Sequence, residues 1–187
     1  MTVRWDGGES SLRGIISPMS EPTYVSPCEW NPARPHILVV ACSDGRLQEP
    51  LDDFLAQHLG ITDYDRLYLP GGPGALASSG SEYARSDRHR REFEFLLEAH
   101  ELEEIIYVFH GPADDGPPEA ACADYRRVFG MVSVERLRDE QLRDAAEILH
   151  HGYGFRRNVR ARFYWSEVRG DGHVQFVERV PDVASVA

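Results

Sequence analysis

Continuous apolar runs and one-sided apolar stripes take turns along this chain. His36-Ile37-Leu38-Val39-Val40-Ala41 is unbroken and rich in β-branched residues, which predicts a strand over 36–42 buried on both faces, as in a parallel sheet. Leu51, Phe54, Leu55 and Leu59 then share one face of a helix over Glu49–Leu59, with Gly60 placed to end it. Arg66-Leu67-Tyr68-Leu69 is a second strand, running into the tight loop Pro70-Gly71-Gly72-Pro73-Gly74. A helix over Ser86–His100 turns Phe93, Leu96 and Leu97 inward, and Ile105-Ile106-Tyr107-Val108-Phe109 is a third strand. Beyond the polar loop Gly111–Pro118 come helices over Glu119–Phe129 and Val134–His151, the second with Ser133 as its N-cap. Phe163–Val168 and Val174–Val180 read as an antiparallel pair joined by the turn Arg169–His173. Strands alternating with helices predict an α/β fold with a mainly parallel sheet. Residues 1–35, rich in Gly, Ser, Pro and Glu, read as an irregular or partly helical arm with Trp5 and Trp30 as anchors, leaving 36–187 as the domain.

Composition narrows the functional classes. The chain has 187 residues, enough for one domain with a sizeable core. A net charge of −11 argues against general nucleic-acid binding and against docking on anionic membranes. No apolar stretch approaches the roughly 20 residues of a membrane span, and Met1–Ser11 lacks the basic and apolar regions of a signal peptide. Cys28, Cys42 and Cys122 are irregularly spaced and form no disulfide framework, which fits a cytoplasmic setting. The basic clusters Arg85, Arg88, Arg90, Arg91 and Arg156, Arg157, Arg160, Arg162 read as solvated faces or intersubunit ion pairs.

Candidate chemistry sits at two strand ends. Cys42-Ser43-Asp44-Gly45-Arg46 follows the first strand and His110 ends the third, at the carboxyl ends where α/β folds collect ligands. Cys and His together suit zinc. Taken singly, each residue has a plainer reading: a buried thiol, a turn aspartate with its ion pair, a hydrogen-bonded strand-end histidine. The glycine loop lacks the Lys-Ser/Thr of a phosphate-binding P-loop and reads as a strand-to-helix turn, although the amides of Gly72 and Gly74 can line a small anion pocket.

On these residues the chain resembles the β-class carbonic anhydrases. The family's Cys-x-Asp-x-Arg is matched by Cys42, Asp44 and Arg46, its Arg-Asn-Ala-Gly-type loop loosely by Leu69-Pro70-Gly71-Gly72, and the histidine of its His-x-x-Cys-Gly by His110. The resemblance covers most of 36–180 and implies a three-layer domain that holds zinc and hydrates carbon dioxide to bicarbonate, in a homodimer or higher assembly. It implies Cys42 and His110 as metal ligands and an Asp44–Arg46 dyad that orients the attacking hydroxide. The family's second cysteine is missing, since Ala113 holds its position. A two-residue insertion would align Asp115 with it, making Asp115 the expected third ligand; Cys122, the other nearby thiol, is expected on the following helix more than a turn beyond the loop and is the less favoured replacement. Two alternatives stay open: a metal-free relative that binds a small anion or serves an assembly, and a hydrolase of a related molecule such as carbonyl sulfide.

Overall fold

The computed structural model describes residues 23–77, 83–151 and 159–182. Contacts divide the chain into Met1–Ala33 and Arg34–Ala187. In the first unit the described residues form no helix or strand, and Trp30 is 86% exposed; Trp5 lies outside the described residues.

The second unit is built on five strands: β1 (Ile37–Cys42), β2 (Asp65–Leu69), β3 (Glu104–Pro112), β4 (Arg160–Val168) and β5 (Val174–Glu178). Their order in the sheet is β2-β1-β3-β4-β5. All neighbours are parallel except β4 and β5, which pair antiparallel across the turn at 169–173. The α/β class with an antiparallel C-terminal edge is therefore the fold of the molecule. From β1 the chain moves to one side of the sheet and from β3 to the other. The crevice between the carboxyl ends of β1 and β3 is thus the point where the winding reverses, which is where open α/β sheets bind ligands.

Alternation along the central strands feeds two cores. Leu38, Val40, Ile105, Tyr107 and Phe109 face one layer, made of α2 (Tyr83–Ala99), α3 (Ala123–Phe129) and α4 (Val134–His151), where they meet Phe93, Tyr125, Ala145 and Ile148. Val39, Ala41, Ile106 and Val108 face the other layer, where they meet Leu51 of α1 (Gln48–Asp53) together with Phe54 and Leu55. The continuous apolar run of β1 is the signature of a strand covered on both faces. Phe163, Tyr164 and Trp165 of β4 are likewise core residues.

Three elements differ from the sequence pattern. The single helix expected over 49–59 is α1 followed by a π-helical turn, Phe54–His58, in which Phe54 stacks on Phe176 with ring centroids 4.1 Å apart. The glycine loop tightens into a 3-10 turn, Gly72–Leu76. The helix expected over 119–129 is a 3-10 turn, Pro118–Ala120, then α3, which starts only at Ala123. The basic residues of α2 are engaged in ion pairs, Arg85 with Asp124, Arg90 with Glu147 and Arg91 with Asp87. Arg160 pairs with Glu104 and Arg162 with Glu178, while Arg156 and Arg157 lie outside the described residues.

Candidate metal centre

The segment after β1 organises itself locally. Ser43 N–H donates to the Leu69 carbonyl at 3.0 Å, fixing the exit from the strand. Asp44 is the N-cap of the 3-10 turn Gly45–Leu47, and its side chain accepts the Arg46 backbone N–H at 3.1 Å. The Arg46 guanidinium grips the same carboxylate through Nε at 2.9 Å and Nη2 at 2.5 Å, a two-pronged charge-assisted pair. That pairing holds the Asp44 carboxyl down at about 2. The sequence-predicted dyad is therefore formed within one turn of chain.

The segment after β3 is built by the sheet. The strand does not stop at His110; Gly111 and Pro112 continue to pair with Glu167 and Val168 of β4, and Ala113 N–H donates to the Val168 carbonyl at 2.8 Å. The third position after His110 is thereby drawn onto the sheet. Gly116 packs so closely that an added Cβ would lie 1.9 Å from the Val168 carbonyl oxygen. Asp114 pairs with Arg138 at 2.5 Å. Asp115 is exposed and lies beside Gly170 in the β4–β5 turn, where a Cβ on Gly170 would meet the Asp115 carbonyl at 2.7 Å.

The chain then returns, and Cys122 arrives as the N-cap of α3. The donor atoms of Cys42, His110 and Cys122 all lie within 4.8 Å of one another, and among the described residues they form the one group of three or more Cys, His, Asp or Glu side chains able to hold a metal ion. Asp115 stands outside this cluster. Its alignment with the missing cysteine required the loop to stay near the site, whereas strand pairing beyond His110 carries it to the hairpin. Cys122, expected on a helix and more than a turn beyond the loop, instead caps α3, which begins four residues later than expected.

Burial and chemistry suit the cluster to a metal. His110 is buried, and neither of its ring nitrogens has a hydrogen-bond partner, a costly state for two polar atoms unless something binds them. The Cys122 thiol donates to Cys42, which, with the neighbouring His110, pulls the Cys42 thiol down to about 4 against the opposing effect of burial. Cys122 itself is pushed up by the same shared hydrogen bond and by burial, while the N–H groups of Tyr125 and Asp124 pull the other way. Two sulfurs and an imidazole are a zinc-type donor set that leaves a fourth position open. Tetrahedral zinc, with bonds of about 2.0–2.3 Å, spaces such atoms roughly 3.3–3.8 Å apart.

A cavity of about 40 Å³ adjoins the cluster, lined by Cys42, Asp44, Tyr68, Val108, His110 and Ser166 among others. Asp44 and His110 also line a wider cavity of about 280 Å³ beside Arg46 and Gly172. Gly72 and Gly74, expected at an anion pocket, line neither cavity. Gly72 has φ +59° and packs against the β1 end, where a Cβ would lie 2.9 Å from the Cys42 nitrogen. Gly74 abuts the Tyr125 hydroxyl, which an added Cβ would approach to 2.1 Å.

Three further residues, unmarked by any motif, line or support the site. Gln141 of α4, buried, donates to the His110 carbonyl at 2.9 Å and accepts from the Trp165 indole at 3.2 Å, clamping the strand end that carries the histidine. Ser166 donates to the Phe109 carbonyl at 3.1 Å. Tyr68 lines the inner cavity. Gln141 falls on the apolar face of α4, and a polar residue on such a face is the signal that could have found it.

No protein-family model matches the chain, and no curated protein matches its sequence. Solved structures do resemble it. The β-carbonic anhydrase CafA of the fungal pathogen Aspergillus fumigatus is 14% identical, with a TM-score of 0.44 over 78% of this chain and 76% of that one. A carbonic anhydrase from Glaciozyma antarctica is 17% identical, with a TM-score of 0.41 over 78% and 83%. The apo form of a carbon disulfide hydrolase is 17% identical, with a TM-score of 0.42 over 81% and 80%.

Proposed function

We propose that this protein is a zinc-dependent lyase that hydrates carbon dioxide to bicarbonate, with Cys42, His110 and Cys122 as metal ligands. The observation that carries this reading is the convergence of two sulfurs and a doubly unpartnered buried histidine beside a small cavity that Asp44 also lines. Zinc held by three protein donors supplies hydroxide at neutral pH, because it lowers the pKa of a bound water toward 7.

The chain's own residues do the rest. Two thiolates would balance the charge of a divalent ion. Asp44, held ionised by Arg46, accepts a hydrogen bond in the cavity and fixes the direction from which the nucleophile's lone pair points. Ala41, Leu51 and Val108 give the cavity apolar walls suited to a small linear molecule without charge. Arg46 reaches the wider cavity, where it offers a cation to the departing anion. Assembly into a homodimer or larger oligomer and a cytoplasmic setting belong to the same proposal, and light scattering on purified protein checks the first.

The test is stopped-flow hydration of carbon dioxide by zinc-loaded protein. The parent should accelerate hydration, and Asp44→Asn should lose most of the rate while keeping its zinc. A zinc-loaded parent with no hydration activity would contradict the reading.

A further inference from the structure

The proposed centre takes its two sulfurs from segments far apart in the chain. Cys42 ends β1 and Cys122 caps α3, yet their donor atoms lie within 4.8 Å of each other. Something has to hold those two segments at that separation. On the β1 side, Cys42 is in register with Leu69 of β2, and the Ser43 N–H donates to the Leu69 carbonyl at 3.0 Å. The turn that follows, Pro70–Gly72, abuts the end of β1, where a Cβ on Gly72 would lie 2.9 Å from the Cys42 nitrogen. That turn is therefore a handle on Cys42. On the other side, Asp124 lies on α3 two residues after Cys122.

Arg85 of α2 grips both. Its Nη2 donates to the Pro70 carbonyl at 2.7 Å, and its Nη1 donates to the two Asp124 carboxylate oxygens at 3.0 and 3.1 Å. The Asp124 side chain is only 15% exposed and presses on the same turn, since a Cβ on Gly71 would lie 2.6 Å from one of its oxygens. Arg127 also donates to Asp124, at 3.0 Å, but it belongs to α3 and moves with it. Arg85 comes from a different helix, so its grip fixes α3 against the turn. A guanidinium presents its donors in a rigid planar fork, and two acceptors held by one fork are fixed relative to each other; a lysine ammonium does not do this. Arg90, further along α2, makes a comparable pair with Glu147 at 3.1 Å and donates to the Leu76 carbonyl at 2.6 Å. Those acceptors lie outside both sulfur-bearing segments.

We infer that Arg85 is a positioning residue for the metal centre: by bridging Pro70 and Asp124 it sets the separation of Cys42 and Cys122. It acts through the two backbones and not through contact with the metal. This inference rests on the metal reading proposed above.

Full-length parent, Arg85→Met, Arg85→Lys and Arg90→Met are titrated with cobalt(II) in place of zinc, and the melting temperature of each metal-free protein is measured alongside. Cobalt reports its sulfur ligands, because each bound thiolate adds sulfur-to-cobalt charge-transfer absorption. Arg85→Met should bind cobalt about ten- to a hundredfold more weakly, the range for residues that orient metal ligands, and show less charge-transfer absorption per bound ion. Arg85→Lys keeps the charge but reaches one anchor at a time, so it should fall between Arg85→Met and the parent; it decides the matter on the same readouts if Arg85→Met does not fold. Arg90→Met should melt lower and bind cobalt as the parent does. Arg85 variants that melt lower yet match the parent in affinity and absorption overturn the inference, because the pair is then structural. An Arg90→Met that loses cobalt as far as Arg85→Met also overturns it, because any broken α2 pair then has the same effect. Either result leaves the metal reading standing, whereas a parent that binds no cobalt overturns both.

Discussion

The two strand ends that meet at the centre are held in different ways. After β1, everything needed lies within five residues: Cys42 ends the strand, Asp44 caps the next turn, and Arg46 closes back on Asp44 at 2.5–3.1 Å. After β3, the chain follows β4 past His110, turns over the β4–β5 hairpin, and returns through Pro118–Ala120 to deliver Cys122 at the cap of α3. The first segment is a local device that depends on little beyond its own turn. The second is a long excursion whose endpoints are fixed by sheet pairing and by helices, with Gln141 of α4 clamping the His110 carbonyl. Metal affinity should therefore depend on the packing of the α3–α4 layer, while the Asp44–Arg46 pair should survive changes there.

The largest expected effect is on the long segment. Cys122→Ser should weaken zinc binding by at least about a hundredfold, beyond what loss of a residue supporting the ligands costs, while Asp115→Asn leaves zinc content unchanged; elemental analysis of dialysed protein measures both. Equal zinc retention in the two variants would erase the distinction between the segments. Next comes the contact between the glycine turn and β1. Gly72→Ala forces a Cβ to 2.9 Å from the Cys42 nitrogen at a φ of +59°, and should cost about 2–3 kcal/mol in denaturant unfolding. Gln141→Leu strips the His110 carbonyl of its side-chain donor and the Trp165 indole of its acceptor. It should cost about 2 kcal/mol and lower zinc affinity, yet leave the Asp44 titration where it is.

The smallest effect belongs to the local segment. Arg46 holds the Asp44 carboxyl at about 2, below the 3.8 of an unperturbed aspartate. A depressed carboxyl stabilises the fold above its unfolded-state value and loses that contribution as pH falls through about 2. Because the Arg46 side chain is 65% exposed, solvent screens the pair and its worth is below about 1 kcal/mol. Carboxyl chemical shifts should show Asp44 titrating at higher pH in Arg46→Ala, with little change in stability. An unmoved titration would mean that something other than Arg46 ionises Asp44.

The same contrast explains what could be read from the chain. The strand over 36–42, the dyad and His110 were legible because an apolar run and a five-residue motif encode them locally. The helix expected to cover 119–129 misplaced Cys122, because the Pro117-Pro118 break and the 3-10 turn after it delay α3 to Ala123. Asp115 was attractive by alignment alone; its distance from the cluster follows from β3–β4 pairing beyond His110, which no local pattern reports. Gly72 and Gly74 read as a backbone cradle; in the fold their lack of side chains admits Cys42 and Tyr125, and Gly74 lines a separate cavity with Arg85 and Asp124. Tyr68 and Gln141 gave no signal on their own, since a tyrosine in a strand and a glutamine in a helix gain meaning only from what faces them across the fold.

The proposed centre depends on Cys122, brought from the cap of a helix, as its third ligand. X-ray absorption at the zinc edge, on zinc-loaded parent and Cys122→Ser, tests it most directly. The account predicts two sulfur neighbours and one imidazole in the parent, and one sulfur in the variant. A parent spectrum with one sulfur and added oxygen, unchanged by Cys122→Ser, would contradict it.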